Sequence, residues 1–245
     1  MVSRGLSPAL PSSFLGLEIA IRGGDMAERL ALRGERRDVY LSAGAGPWVL
    51  DEEDFVSVED EIARVQKDID LYGADAIGEC GFDRHWGYGT MEQQHQLFVA
   101  EAELAKKMDV PLVIHTRESD EDLLSELNEL GERVIMHCFA SNRSVMEKLL
   151  DRGAYISFAG NVTYKANTLI QESAKYCPLD RILFETDAPY LSPVPMRREP
   201  NRPEYTVYTL AFLAELKGVE KETLMEHAVE NFLSLMKNRE SVVGL

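Results

Sequence analysis

Apolar runs of strand length alternate with helical patterns from one end of this chain to the other. That alternation is the signature of repeated βα units around a parallel sheet. The strand-like runs are Leu15–Ile21, Val39–Ala43, Asp75–Glu79, Pro111–His115, Arg133–His137, Ala154–Phe158 and Arg181–Glu185. Between them the spacing predicts helices over Ser57–Tyr72, Met91–Met108, Asp120–Leu130, Ser144–Asp151 and Ala166–Tyr176. Two more, Glu204–Lys217 and Lys221–Lys237, follow the last strand.

A chain of 245 residues with 45% hydrophobic content can bury one large core, and α/β barrels of about 250 residues commonly form one domain. The expectation is a single domain over 1–245, with 1–13 as an irregular arm. Seven strands is one short of the common closed barrel. The fold expected is therefore a TIM-type parallel α/β barrel, seven-stranded or distorted at its N-terminal side. A doubly wound sheet would gather its ligands at one switch point instead of at several separated strand ends.

Four of the runs stop on an ionisable residue: Ala76-Ile77-Gly78 on Glu79, Pro111-Leu112-Val113-Ile114 on His115, Val134-Ile135-Met136 on His137, and the run before Glu185-Thr186 on Asp187. In a parallel barrel these ends share one face, where active sites are built. Imidazole and carboxylate suit zinc, manganese or nickel, so Glu79, His115, His137 and Asp187 are the candidate metal ligands. Singly, each has a plainer reading. His115 could be a hydrogen-bonded core histidine, Glu79 could pair with Arg117, and Asp187 could cap the next turn. Together, four ionisable groups in one barrel mouth would need costly mutual compensation without a cation.

Around this set, His85 and Arg117 follow Glu79 and His115 closely enough to touch substrate. Arg197, with Arg198 and Arg202, forms the basic cluster after Asp187. For His85 and the arginine cluster a solvated loop is the competing reading; for Arg117 it is orientation of Glu79. His95 and His227 sit in helical patterns and read as structural. The net charge of −16 argues against a broad nucleic-acid or anionic-membrane surface, so an anionic substrate must be drawn in locally. Three cysteines, Cys80, Cys138 and Cys177, show no C-x-x-C spacing. They point to a reduced cytoplasmic protein without a disulfide framework, with Cys80 and Cys138 as small buried apolar residues. No run of about 18 apolar residues could span a bilayer.

Taken in order, Gly78-Glu79-Cys80-Gly81-Phe82-Asp83, Ile114-His115-Thr116-Arg117, Met136-His137-Cys138-Phe139, Tyr155-Ile156-Ser157-Phe158-Ala159-Gly160 and Glu185-Thr186-Asp187-Ala188-Pro189-Tyr190-Leu191 resemble the TatD-type family of metal-dependent deoxyribonucleases. The resemblance covers about 77–232. It implies a TIM-type barrel, a divalent-metal centre (zinc, magnesium or manganese) and phosphodiester hydrolysis on DNA. Glu79 would be the bridging carboxylate, and His115, His137 and Asp187 the other ligands, with Asp187 and Glu79 carrying the catalysis.

The chain also departs from the family pattern. Nothing before Leu15 offers the family's first strand with its His-x-His pair. The Gly-x-His-Pro-His turn is Gly44-Ala45-Gly46-Pro47-Trp48, Met196 stands where a histidine is usual, and Glu199 where a lysine is common. These departures predict one firmly held ion with a second site weak, and a gap that the Met1–Phe14 arm or a second copy of the chain would cover. Two further readings stand beside the nuclease: a metal-assisted amide or ester hydrolase using the same ligands, and a degenerate barrel acting as a binding or scaffold protein.

Overall fold

The computed structural model describes residues 14–236. The expected arm over 1–13, and any strand it might supply, lies outside the described residues. Seven parallel strands follow one another in chain order, and the chain divides into two compact units, one centred on 15–134 and the other on 135–234.

The first unit runs β1 (Gly16–Glu18), α1 (Met26–Arg33), β2 (Val39–Ala43), α2 (Val58–Tyr72), β3 (Ala76–Asp83), α3 (Met91–Met108), β4 (Leu112–Arg117) and α4 (Asp120–Ser125). All eight residues of β3 are buried, as expected of a parallel strand covered on both faces. Phe82 packs against Phe98 of α3 at 4.8 Å between ring centroids. Burying each such ring stabilises the unit by about 1.5–3 kcal/mol. The helices start where side chains can take up free N–H groups. Ser57 accepts from the N–H of Asp60 at 3.1 Å, and Thr90 forms a capping box with Gln93.

Three elements of this unit differ most from the sequence expectation. The first strand was expected over Leu15–Ile21 but ends at Glu18, because the next backbone donors turn to side chains. Ala20 N–H donates to Ser42 Oγ at 2.8 Å and Ile21 N–H to Asp25 Oδ2 at 3.5 Å. The helix α1, absent from the sequence reading, is held by the buried Arg29. Its guanidinium donates to Glu18 Oε2 at 2.5 Å, Asp25 Oδ1 at 2.8 Å, the Ser42 carbonyl at 2.8 Å and the Glu18 carbonyl at 2.9 Å. A buried charge is tolerable only when satisfied in this way. Helix α4 was expected to reach Leu130 and stops at Ser125. The Ser125 hydroxyl donates to the Asp122 carbonyl, and Glu126 and Glu129 N–H groups bond three residues back, which tightens the chain into turns.

The second unit runs β5 (Val134–Met136), α5 (Arg143–Leu150), β6 (Tyr155–Phe158), α6 (Thr168–Tyr176), β7 (Ile182–Phe184), α7 (Thr206–Lys217) and α8 (Lys221–Leu235). β5 pairs with β6 through Ile135–Tyr155 and Met136–Ile156, and β6 with β7 through Ile156–Ile182, Ser157–Leu183 and Phe158–Phe184. Its core holds Met136, Met146, Phe139 and Phe158, the two aromatic rings meeting edge to face at 6.0 Å. Among the described residues no helix is long and apolar enough to cross a membrane.

Candidate metal centre

In the first unit the strands run on past the candidate residues instead of stopping at them as expected: Glu79 is the fourth of eight residues in β3 and His115 the fourth of six in β4. Pairing of these strands slips between Ile77, opposite Leu112, and Cys80, opposite Ile114. The extra residue is a bulge that re-aims one side chain, and Glu79 lies on it. The Glu79 N–H bonds to the Ala20 carbonyl at 3.1 Å. The bulge needs its flanking glycines. Gly78 and Gly81 take φ values of +122° and +136°, and a Cβ would stand 2.4 Å from the Val113 carbonyl oxygen at the first and 2.0 Å from that of His115 at the second. Glycine is required there by both conformation and space.

His115 is held between two carboxylates. Its Nδ1 lies 3.7 Å from Glu79 Oε2 and its Nε2 3.3 Å from Asp83 Oδ2. The edge of Trp48 meets the imidazole at 5.6 Å, and Trp48 is fixed by its indole N–H donating to the Ile21 carbonyl at 2.7 Å. Asp83 is itself buried. Burial opposes its charge, yet the His115 hydrogen bond, the Trp86 N–H at 2.9 Å and the nearby cationic groups keep its carboxyl below the usual range.

In the second unit His137 follows β5, with Nδ1 2.7 Å from Glu185 Oε1 and Nε2 3.7 Å from Asp187 Oδ1. Glu185 leaves β7 with its N–H on the Phe158 carbonyl at 3.0 Å. Beyond it the loop is pinned by the buried Asn201, whose amide donates to the carbonyls of Thr186 and Tyr190, both at 2.7 Å. Of the five non-glycine residues with positive φ among the described residues, three lie within three residues of a strand end: Glu118, Cys138 and Asp187. Such backbone costs about 1–3 kcal/mol per residue and persists where the surroundings over-determine it. Cys138, expected to be buried, is half-buried beside His137 in this left-handed conformation, while Cys80 is fully buried as expected.

The structure joins Glu79 to His115 and His137 to Asp187. It also brings His85 and Arg117 together around Trp86, with the His85 ring 5.1 Å and the Arg117 guanidinium carbon 5.5 Å from the indole. Arg197 lies over the Tyr164 ring at 4.0 Å, and the Tyr164 hydroxyl donates to the Ser192 carbonyl at 2.9 Å. Burial pushes that hydroxyl's pKa up against the opposing influence of Arg197. His95 is structural, with Nδ1 2.8 Å from Glu126. Two participants escaped the sequence reading as site residues, Asp83 and Glu185. A signal was present: Glu185 directly follows the apolar run Ile182-Leu183-Phe184.

Comparison with known proteins identifies the family. The sequence profile of the TatD related DNase family matches residues 12–237. The uncharacterized metal-dependent hydrolase YcfH of Escherichia coli K12 is 37% identical over 209 residues, which cover 83% of this chain and 76% of that protein. YabD of Bacillus subtilis, also an uncharacterized metal-dependent hydrolase, is 37% identical over 165 residues, 66% of this chain and 65% of its own length. Among solved structures, the TatD homolog YJJV of Escherichia coli K12 superposes with a TM-score of 0.82 at 25% identity, covering 89% of this chain and 85% of that one. The fold class is accordingly the TIM-type α/β barrel, and the chain belongs to the TatD related DNase family of metal-dependent hydrolases.

Proposed function

We propose that this chain hydrolyses phosphodiester bonds, with DNA as substrate, using one divalent ion held by Glu79, His115, His137 and Asp187, and that the two compact units act as one catalytic domain. The observation that carries the reading is a repeated geometry. Each histidine has one ring nitrogen set against an orienting carboxylate, Asp83 at 3.3 Å or Glu185 at 2.7 Å. Its other nitrogen stands 3.7 Å from a second carboxylate oxygen. That second spacing is long for a hydrogen bond. It is close to the separation of about 3.4 Å between two ligands of one tetrahedral ion with bonds near 2.1 Å. Carboxylate–histidine–metal arrangements use such an outer acceptor to fix the tautomer.

A divalent ion supplies a Lewis acid and lowers the pKa of a bound water from about 15.7 towards about 7 in favourable zinc sites. The protein's own groups do the rest. Asp83 and Glu185 hold the imidazoles in orientation. Asp187, beside His137 Nε2, accepts the proton of the attacking water as general base. Glu79 adds the second carboxylate, and His85, Arg117 and Arg197 meet the anionic substrate. The free thiols of Cys80, Cys138 and Cys177 support a reducing, cytoplasmic setting.

The test is elemental analysis of the purified protein followed by a hydrolysis screen of DNA ends, model phosphodiesters and amides. Divalent-dependent release of nucleotides is the expected result. Turnover of amides alone would replace the nuclease reading with the amide hydrolase, and metal-free protein inert on every class would support a scaffold.

A further inference from the structure

Past β3, the loop 84–90 raises Trp86 into solvent at 62% exposure, yet its backbone is tied down. The Trp86 backbone N–H donates to Asp83 Oδ1 at 2.9 Å. The buried Gln94 fastens the loop from below, accepting from Asp83 N–H at 2.9 Å and donating to the Asp83 and Tyr88 carbonyls at 3.3 and 2.7 Å. The His85 ring stands edge-on to the indole, and Glu118 fixes that imidazole through Nδ1 at 2.7 Å. The Arg117 guanidinium faces the indole from the end of β4. An exposed, immobilised aromatic ring flanked by a guanidinium and an imidazole is suited to a π-system carrying negative charge nearby.

The position of this ring relative to the chemistry is also fixed. One oxygen of Asp83 holds the Trp86 backbone, and the other lies 3.3 Å from His115 Nε2. One carboxylate therefore ties the aromatic platform to a candidate metal ligand. With a formal net charge of −16, affinity for a polyanion cannot come from a broad basic surface and counterion release. It has to come from local contacts, and stacking is one that charge does not forbid.

Resting on the phosphodiester reading above, we infer that Trp86 is the stacking platform for one nucleobase of a single-stranded substrate, with Arg117 placed for the adjoining phosphate. A base inside a duplex is stacked on both faces and leaves none for the indole. The platform therefore suits a base in a single strand or at an end.

The test is binding of the full chain, in calcium without turnover, to a thymidine trinucleotide and to the same sugar–phosphate chain lacking bases. Wild type should prefer the base-bearing strand by about 10-fold, within the range stacking on an aromatic side chain provides. Trp86→Ala should bring the ratio of the two affinities to about one, and Trp86→Phe should keep most of it. Because the readout is a ratio, a general loss of affinity does not imitate it. No preference in wild type, or an unchanged ratio in Trp86→Ala, overturns the inference. Base-dependent binding without cleavage of any DNA would instead sink the hydrolase reading and leave the platform standing.

Discussion

Replacing Gly81 by alanine tests how the bulge builds the site. The new Cβ would stand 2.0 Å from the His115 carbonyl oxygen and 3.0 Å from its carbonyl carbon, at a φ of +136°. Two costs follow: about 1–3 kcal/mol for the backbone conformation, and about 1–3 kcal/mol for forcing an atom into packed structure that must move to admit it. Together they take about 2–6 kcal/mol from a total stability of about 5–15 kcal/mol. Gly34→Ala carries only the first cost, because Gly34 also has a positive φ, +58°, but has nothing within 4 Å of an added Cβ, so the difference between the two variants isolates the second. Urea unfolding should place Gly81→Ala about 1–3 kcal/mol below Gly34→Ala. Since the displaced backbone carries His115, divalent-ion affinity should fall in Gly81→Ala and hold in Gly34→Ala. Equal destabilisation of the two variants would refute the claim that close approach of β3 and β4 demands glycine here.

Glu101, fully buried in α3, accepts from the Ala45 N–H at 2.8 Å. Burial pushes its carboxyl well above the ordinary value, the Ala45 N–H opposes and Glu61 adds to the rise. Its folded pKa exceeds its unfolded one, so stability is fully present below about pH 4.3 and falls by about 1.4 kcal/mol per unit as pH rises towards the folded pKa. Glu101→Gln should remove that slope and gain on wild type with rising pH; parallel stability curves in urea from pH 5 to 8 would contradict this. His137→Ala should lower metal content and activity together, read by elemental analysis beside the hydrolysis rate, and unchanged content would count against ligation by His137. Glu185→Gln, which weakens the acceptor for His137 Nδ1, should reduce metal affinity by about 10–100-fold, measured by competition with a chelating dye.

The strands were legible because parallel, doubly covered strands read as continuous apolar runs. Thus β2 spans Val39–Ala43 as the periodicity indicates. What the sequence hid was local polar compensation: Ser42 and Asp25 capturing backbone that would have extended β1, and Arg29 organising a helix with little apolar signal. The candidate ligands stood out because each stood at or just past the end of an apolar run. Asp83 did not, since a carboxylate's partner is settled by tertiary placement, and Glu185, which directly follows its run, was read only as the last residue of the strand. Nor did the sequence show that Glu79 sits on a bulge, although Gly78 and Gly81 are the residues that permit one. The platform at Trp86 was visible only as an aromatic near a histidine, and the pinning by Asp83 and Gln94 belongs to the folded chain.

The central claim is that one divalent ion is shared by four side chains carried on or just after β3, β4, β5 and β7, and anomalous diffraction from crystals grown with manganese or zinc tests it most directly. The account expects one strong peak, at the absorption edge of the added metal, within bonding distance of Glu79, His115, His137 and Asp187. A peak that touches none of these four side chains, or crystals that take up no metal at all, would contradict it.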